Sequence, residues 1–547
     1  MPTVALIRPL YEGDESEFQE PLGIERLAGF LKANTDEEVR LFDRRLYQQE
    51  RLFGLADENS FSFWDDFTRA FPVTAPPDII GLSVMTAEDV PDSLRLISRL
   101  KTFYPRAHFI VGGLFVTTAL DSAQRRFPAE VQLVSCEGEI PLLETFRAVM
   151  AEGVVKTPRF ESEKCDAERF DARSLPDKSD SPKDIHLTPD GWAIASRPDL
   201  ERYLALGCAI SLQSSRGCHG SCSFCATPKL PSPYRRWQGR SLPLVVDEIA
   251  LLSAHAAESG LLPIFNFVDD DFGPLSRIEA LDLELKRRGL RIAYALQLRA
   301  ADLLEQDRLP ERLAELRKGG FTRVFLGVES LCPQTLEDWN KSYATDKLPE
   351  VFSALKKAGI SAHIGYILWH SGTSVEDARI EAKRLWEMGL YCPKVAESRM
   401  VLFPGSRLHE RGLAAKQVSH AACWEPMSAE SERFYQQLSN KLRPVYDAWK
   451  EGAVLSPWLA AQAHLTGERT LIEALDAVLA ECDRISYRSF VHDEFPQDLH
   501  RIAAKLSQRI TQIRQTALPM RNRPSKQSAD NPSANRPASR SSRRREQ

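Results

Sequence analysis

The chain has 547 residues, of which 43% are hydrophobic and 27% charged, and its formal net charge at pH 7 is -5. This length predicts two to four domains, and the composition is that of a globular protein. The small net charge does not favour a nucleic-acid partner, and no apolar run reaches the roughly 18 residues of a membrane span. The opening run of residues 1–7 is typical of a strand and not of a signal peptide, so we expect a cytoplasmic location.

The first 150 residues alternate short apolar runs with amphipathic segments. The runs that predict strands lie at residues 4–7, 39–42, 79–84, 109–111 and 131–134. Such alternation indicates a parallel, doubly wound α/β sheet, in which ligands bind at the carboxyl ends of the strands. Small or acidic residues follow or end three of these runs, and we expect them on that edge: Ser83, Gly112, Gly113, Glu137, Gly138 and Glu139.

An aromatic cluster lies between the second and third predicted strands. It consists of Phe61, Phe63, Trp64, Phe67 and Phe71. Such a face either packs a helix against the sheet or covers a flat ligand as a lid. Because helix packing is the more common use of this spacing, we favour packing.

Three closely spaced cysteines, Cys218, Cys222 and Cys225, form a C-x3-C-x2-C pattern. Three thiolates can bind three irons of a [4Fe–4S] cluster and leave the fourth iron open to a small molecule. A zinc site would need a fourth thiolate or imidazole, and His219 is too close to Cys218 to share a tetrahedron with it comfortably. A disulfide is not expected without a secretory signal, which leaves chance spacing as the alternative.

The cysteine pattern, with Phe224 before its last cysteine, resembles the signature of the radical SAM superfamily. The resemblance implies that S-adenosylmethionine (SAM) binds the open iron and is cleaved reductively. After residue 209, apolar runs at 210–213, 264–268, 292–296, 324–326, 363–367 and 395–401 predict six more strands. Six such repeats predict a partial (β/α)6 barrel, with the active site at the carboxyl ends of its strands.

Further motifs at these strand ends resemble family elements that hold SAM. The resemblance assigns Asp270 to the SAM amino group and Arg299 to its carboxylate, which suits a planar guanidinium. It assigns Glu329 to the ribose hydroxyls, with Ser330 in the same element, and Lys341 to a position near SAM. In the alternative reading, the acids around Asp270 cap a helix and the two cations are solvated charges.

The first 150 residues resemble the Rossmann-like cobalamin-binding domain that precedes the radical SAM domain in one large subclass. The strand-end serine, glycines and glutamates listed above carry the resemblance and are the implied corrin contacts. No Asp-x-His-x-x-Gly motif occurs, since Asp43 is followed by two arginines and His108 precedes a predicted strand. The implied cobalt is therefore five-coordinate or water-ligated. The alternative is a Rossmann-like domain that binds no cofactor.

The resemblance to the cobalamin-dependent, methyltransferase-like radical SAM family implies an enzyme that methylates an unactivated carbon. The implied substrate is a small molecule or peptide of natural-product or cofactor biosynthesis. A [4Fe–4S] cluster, SAM and cobalamin are the implied cofactors, and a flavodoxin or ferredoxin is the implied electron donor. Two alternatives remain: a cyclase or ring-rearranging enzyme that transfers no methyl group, and a non-catalytic cobalamin sensor.

The predicted organisation has five parts. The cobalamin-binding domain covers residues 1–150, a connector 151–205, the barrel 206–410, a helical region 411–518 and a disordered basic tail 519–547. The connector is rich in Pro, Asp, Ser and Lys, and the tail has almost no apolar residues. The helical region either shapes the substrate pocket or caps the open side of the barrel, and the tail is expected to bind no specific partner.

Overall fold

A computed structural model of the chain describes residues 4–11, 18–52, 62–135, 137–152, 189–227, 230, 236–304, 306–341, 343–415 and 423–520. Phe61, most of the predicted connector and nearly all of the predicted basic tail lie outside these ranges. Within the ranges, the predicted α/β class is confirmed. An N-terminal parallel sheet, a partial barrel and a helical C-terminal region follow one another along the chain.

Five parallel strands form the first sheet, in the order β2-β1-β3-β4-β5. They are β1 (Val4–Arg8), β2 (Val39–Asp43), β3 (Ile79–Ser83), β4 (His108–Gly112) and β5 (Gln132–Leu133). The order changes direction between β1 and β3. In doubly wound sheets this change opens a crevice at the carboxyl ends of the two strands, where ligands bind.

Helices cover both faces of the first sheet. They are α1 (Leu22–Asn34), α2 (Arg44–Leu52), α3 (Phe63–Ala70), α4 (Val90–Phe103), α5 (Leu114–Thr118), α6 (Leu120–Arg126) and α7 (Glu139–Glu152). On one face α1 and α7 pack against the strands, and on the other α3 and α4 do. Phe63, Phe67 and Phe71 are buried there against Phe42, so these aromatic rings pack a helix and do not form a lid.

The second sheet is the wall of the partial barrel, with five parallel strands in the order β12-β11-β10-β9-β6. These strands are β6 (Ile210–Leu212), β9 (Ile264–Phe267), β10 (Ala293–Arg299), β11 (Phe321–Glu329) and β12 (Ser361–Tyr366). Short antiparallel pairs join β7 (Ser215–Arg216) to β8 (Gln238–Gly239) and β13 (Val401–Leu402) to β14 (Cys423–Trp424).

The strand predicted over residues 395–401 is wrong in its first half. Pro393 opens a short helix, α15 (Pro393–Glu397), because proline at the first helical position has its backbone already set for a helix. Beyond this helix, Arg399 forms a single parallel bridge with Trp369. In the described residues, the sixth position of the barrel is therefore a bridge and not a full strand.

Helices surround the barrel and close one of its ends. They are α8 (Leu200–Ala205), α9 (Leu242–Glu258), α10 (Leu275–Arg287), α11 (Leu309–Lys318), α12 (Pro333–Asp338), α13 (Leu348–Ala358), α14 (Val375–Glu387), α16 (Arg407–Ala414), α17 (Ala429–Thr466), α18 (Thr470–His492) and α19 (Leu499–Met520). The bundle of α17, α18 and α19 packs on Ile264 and Ala293, which begin β9 and β10. It therefore caps the amino-terminal mouth of the barrel. No helix in the described ranges has the length and apolarity to cross a membrane.

Candidate functional site

The cysteine loop, residues 217–225, lies at the carboxyl-terminal mouth of the barrel. Asn340 donates from its side-chain amide to the carbonyl oxygen of Ser221 at 3.0 Å and to the Ser221 hydroxyl at 2.7 Å. The backbone N–H of Ser223 donates to the carbonyl oxygen of Trp339 at 2.8 Å. The segment that follows α12 thus holds the loop in place by three hydrogen bonds.

Two thiols of this loop, those of Cys218 and Cys222, lie close to Gly220. A methyl group built on Gly220 would be in van der Waals contact with both, 3.4 Å from Cys218 Sγ and 3.7 Å from Cys222 Sγ. Burial raises the pKa of Cys218 to about 12 and also raises the pKa of Cys222, on which the charge of Cys225 acts too. Thiolates in such a place need a cation, and iron would supply it.

No three His, Cys, Asp or Glu side chains of the described part converge as ligands of one metal ion. The thiolates of an iron–sulfur cluster each bind a different iron, so they need not meet at one point. The cysteine loop therefore fits the predicted cluster better than a single zinc ion.

The three acids after β9 have different surroundings. Asp269 is buried and accepts hydrogen bonds at 2.7 Å from the backbone N–H and the hydroxyl of Ser214. Asp271 is fully buried and pairs with Nδ1 of His219 at 2.8 Å. Asp270 alone of the three is exposed and lines a large cavity, and desolvation followed by the charge of Asp271 raises its pKa. None of the acids is the capping residue of α10, so the helix-cap alternative is not seen.

Arg299, at the end of β10, lies beside the cysteine loop, with its Cδ 3.8 Å from a methyl group built on Gly220. Its guanidinium is held by Asp302 at 2.6 and 3.2 Å and by Asp271 at 3.2 Å. The side chain is therefore not a solvated charge. To bind a SAM carboxylate, the Arg299 guanidinium would have to pair with that group in addition to Asp302 and Asp271.

Glu329 and Lys341 form an ion pair over the end of the barrel wall. Glu329 Oε1 accepts from Lys341 Nζ at 3.2 Å, and Glu329 has a left-handed φ of 69°. A methyl group on Gly327 would lie 2.9 Å from Glu329 Oε1, and one on Gly365 would lie 3.3 Å from it. Two glycines on adjacent strands thus leave room for the ion pair. The sequence did not indicate this contribution, because the two glycines are brought together only by the pairing of β11 and β12.

Ser330 differs from the other predicted SAM contacts. Its side chain is buried, and its hydroxyl accepts from the backbone N–H of Cys332 at 3.0 Å and donates to Glu381 at 3.4 Å. The structure does not bring this hydroxyl to the open edge where Asp270 lies.

A cavity of about 510 Å³ lies between the carboxyl edges of the two sheets. All the predicted corrin contacts line it from the first domain: Ser83, Gly112, Gly113, Glu137, Gly138 and Glu139. Gln213, Arg216, Gly217, Val268 and Asp270 line it from the barrel. The edge predicted for cobalamin and the start of the cysteine loop therefore share one cavity.

The edge predicted to hold the corrin turns at Gly113, and no histidine lines it in the described part of the chain. Gly113 has a φ of 107°, and a methyl group on it would lie 2.4 Å from the carbonyl oxygen of Val84, so no larger residue fits without a backbone shift. His108 lies at the opposite end of β4, with Nε2 2.6 Å from Gln132 Oε1. No histidine is found among the described residues that line the cavity.

Arg216 joins the two domains at this cavity. Its Nη1 lies 2.9 Å from Glu137 and its Nη2 2.9 Å from Glu139, and its guanidinium stacks 4.3 Å from the ring centre of Trp192. Burial raises the pKa of Glu137 to about 7. At Glu139 burial acts in the same direction, but the charge and hydrogen bond of Arg216, a backbone hydrogen bond and the charge of Arg26 together outweigh it and lower the pKa. The cation two residues before Cys218 is thus bound to the predicted corrin turn.

A buried network also fixes the orientation of the domains. Arg197 donates to Glu20 at 2.7 Å and to the carbonyl oxygen of Ser211 at 2.6 Å. The other carboxylate oxygen of Glu20 accepts from the backbone N–H of Ser211 at 2.6 Å. Because these groups are buried and mutually paired, they hold β6 of the barrel against the first domain.

Comparisons with known proteins agree with this architecture. The Radical SAM superfamily model matches residues 212–380. The chain is 25% identical over 404 residues to an uncharacterized methyltransferase of Pyrococcus horikoshii, covering 72% of this chain and 78% of that protein. It is 24% identical over 390 residues to the anaerobic magnesium-protoporphyrin IX monomethyl ester cyclase of Rubrivivax gelatinosus, covering 67% of this chain and 62% of that protein.

A solved structure has the same fold over nearly the whole chain. It is the cobalamin-dependent S-adenosylmethionine radical enzyme OxsB with aqua-cobalamin and S-adenosylmethionine bound. The TM-score is 0.63 at 15% sequence identity, and the match covers 95% of this chain and 80% of that one. At this identity the likeness concerns the fold, that is, the succession of a doubly wound sheet, a partial barrel and a helical region.

Proposed function

We propose that this chain is a cobalamin-dependent, methyltransferase-like radical SAM enzyme that methylates an unactivated carbon of a small molecule or peptide. The observation that carries the proposal is the shared cavity, which the glycine-rich edge of the first sheet and the start of the cysteine loop line from opposite sides. A reaction that uses two cofactors on one substrate requires this kind of juxtaposition.

The residues would divide between three bound groups. The cluster would be held by Cys218, Cys222 and Cys225, and SAM by Asp270, Arg299, Glu329, Lys341 and the turn at Ser330. Cobalamin would be held by Ser83, Gly112, Gly113, Glu137, Gly138 and Glu139. When bound, the cluster supplies the electron for reductive cleavage of SAM, and the cobalamin supplies the methyl group. The reducing electron would come from a donor such as a flavodoxin or ferredoxin.

The chain itself contributes orientation and protection from solvent. Asp270, exposed to the cavity, would accept hydrogen bonds from the SAM amino group. The ion pair of Glu329 and Lys341 leaves carboxylate oxygens beside the open edge for hydroxyl donors. Walls from both domains enclose the cavity, which limits the access of water to reactive species.

A cyclase that transfers no methyl group is the second candidate. One similar protein, which covers 67% of this chain, is named as a cyclase. The two candidates use the same cavity and differ in the fate of the substrate carbon.

Reconstitution of the full chain with iron, sulfide and hydroxocobalamin tests the proposal. We expect corrin bands in the visible spectrum and 5′-deoxyadenosine when SAM and a reductant are added. Mass spectrometry of candidate substrates should then show a gain of one methylene unit. A product that has lost hydrogen without gaining carbon would favour the cyclase, and a protein without corrin bands would contradict the cobalamin assignment.

A further inference from the structure

The inner face of the barrel carries a polar row where packed barrels have an apolar layer. The row consists of the polar residues Ser211, Asn266 and Arg323 and the small Ala295, which lie in register across β6, β9, β10 and β11. The residues on either side of Asn266 belong to the outer core, so the row points to the barrel interior. Barrel interiors are normally filled at each level by Val, Ile and Leu. The packing of apolar side chains therefore does not explain why this row is polar.

The polar row opens into a second cavity, of about 210 Å³. Ala295 and Arg323 lie in the first half of β10 and β11, and α17 covers the cavity with Trp449 and Trp458. This lower cavity therefore lies at the amino-terminal mouth of the barrel, away from the cysteine loop. Gln19 and Ser211 line both cavities, so the lower one lies directly beneath the shared cavity.

The walls of the lower cavity are cationic. Arg323, Lys394, Lys450 and Arg514 line it together with His363, and no Asp or Glu is found among its described lining residues. Burial, followed by the charges of Arg323 and Lys394, lowers the pKa of His363 to about 3. The imidazole is therefore neutral at pH 7 and can donate one hydrogen bond and accept another.

One wall residue has an unused polar group. The backbone N–H and carbonyl of Ser211 are engaged by Glu20 and Arg197, but its hydroxyl is buried and has no hydrogen-bond partner in the described part of the chain. Buried hydroxyls are nearly always hydrogen-bonded, and one that is not calls for an explanation. A ligand in the cavity would satisfy this hydroxyl.

We infer that the lower cavity is a binding site for a small molecule with a flat apolar part and a carboxylate or phosphate group. The cations and the neutral donors suit the anion, and the two tryptophan rings of α17 suit the flat part. The volume of about 210 Å³ restricts the ligand to a small molecule. The inference uses the barrel and the helices α15, α17 and α19, and it stands apart from the cofactors of the proposed function.

Calorimetric titration of the full chain without added cofactors tests this site. The probes are inorganic phosphate, phenyl phosphate and benzoate at constant ionic strength. We expect saturable binding of phenyl phosphate or benzoate, and the tighter of the two identifies the anion. The absence of saturable heat with all three probes would overturn the inference. Equal affinity for inorganic phosphate and phenyl phosphate would contradict the claim that the ligand has a flat apolar part.

Two variants separate the site from general charge and from folding. Lys394→Gln should raise the Kd about tenfold, because it removes one charge-assisted hydrogen bond. The matched control is Lys357→Gln, an exposed lysine on α13, which should leave the Kd unchanged. Ser211→Ala should weaken binding without lowering the thermal midpoint, because it deletes a hydroxyl that has no partner in the free protein. Equal affinity of Lys394→Gln and the unaltered chain would refute the site.

Discussion

The two ends of the barrel present different chemistry to their cavities. At the carboxyl-terminal mouth, glycines line the shared cavity together with both acidic side chains and arginines, and Arg216 is paired with Glu137 and Glu139. At the amino-terminal mouth, one cation comes from a strand, Arg323 of β11, and three come from helices: Lys394 of α15, Lys450 of α17 and Arg514 of α19. Aromatic rings cover this cavity, and no carboxylate is found among its described lining residues. One parallel sheet thus offers two sites of different charge.

The difference follows from how the two mouths are built. The upper mouth is made by the segments that follow the strands, which can bring backbone and glycine close to a large ligand. The lower mouth is made by side chains within the strands, whose direction is set by the alternation of the sheet, and by the helices α15, α17 and α19 that cover them. Changes at one mouth should therefore leave binding at the other intact. The first of four predictions tests this independence, and the other three test single residues of the upper mouth.

The largest effect is expected from Cys222→Ala. Loss of one cluster ligand should lower 5′-deoxyadenosine formation more than about a hundredfold, since even residues that only orient metal ligands cost about 10–100-fold. Cys332→Ala, another half-buried cysteine outside the loop, is the matched control. Phenyl phosphate binding in the lower cavity should be unchanged. Retained SAM cleavage would contradict the cluster assignment.

Gly113→Ala should destabilise the edge of the upper cavity. The methyl group would approach the carbonyl oxygen of Val84 to 2.4 Å at a φ of 107°, which we expect to lower the free energy of unfolding by about 2–3 kcal/mol. Gly23→Ala is the matched control, since a methyl group there meets nothing within 4 Å and lies in helix α1. It should stabilise the chain by about 0.5–1 kcal/mol. Urea denaturation measures both, and equal effects would show that the Gly113 turn adapts.

Asp270→Asn should weaken SAM binding about tenfold without loss of stability, because the carboxylate is exposed and makes no hydrogen bond or ion pair with the described residues. Asp269→Asn should have the opposite profile, since its buried carboxylate accepts hydrogen bonds from Ser214 at 2.7 Å. Equilibrium dialysis with SAM and thermal melting of both variants separate the two roles. A stability loss in Asp270→Asn with unchanged SAM affinity would assign Asp270 to the fold.

The smallest effect concerns pH. The pKa of Glu137, about 7 in the folded chain, is above its ordinary value of 4.5, so its contribution to stability is present at low pH and is lost as the pH rises from about 4.5 to 7. Glu137→Gln should remove this slope. The change should be below about 1 kcal/mol because the side chain is 34% exposed and solvent screens it. Thermal midpoints from pH 5 to 7.5 measure it, and an unchanged slope would refute the raised pKa.

Features that depend on neighbouring residues could be predicted from the sequence. The spacing of Cys218, Cys222 and Cys225 limits which ligands one loop can offer, and apolar runs indicate buried parallel strands. An apolar run can also lead to a wrong strand prediction. The run at 395–401 has the composition of a strand, yet a helix that begins at Pro393 extends into it as far as Glu397.

Contacts between distant segments could not be predicted. Arg216 meets Glu139 from 77 residues away, and nothing around either residue indicates the partner. The hydroxyl of Ser330 is likewise directed to Glu381, 51 residues further on, and not to the open edge where its motif suggested SAM. The polar row beneath the shared cavity exists only through the register of four strands.

The amino-acid sequence by itself determined the α/β class, the cysteine loop and the glycine-rich strand ends, because local periodicity and spacing encode them. Only the tertiary structure decided that the corrin edge and the cysteine loop line one cavity and that the opposite mouth is cationic. The physical reason is that charge and cavity shape arise from side chains brought together by sheet order and register, which no local segment contains.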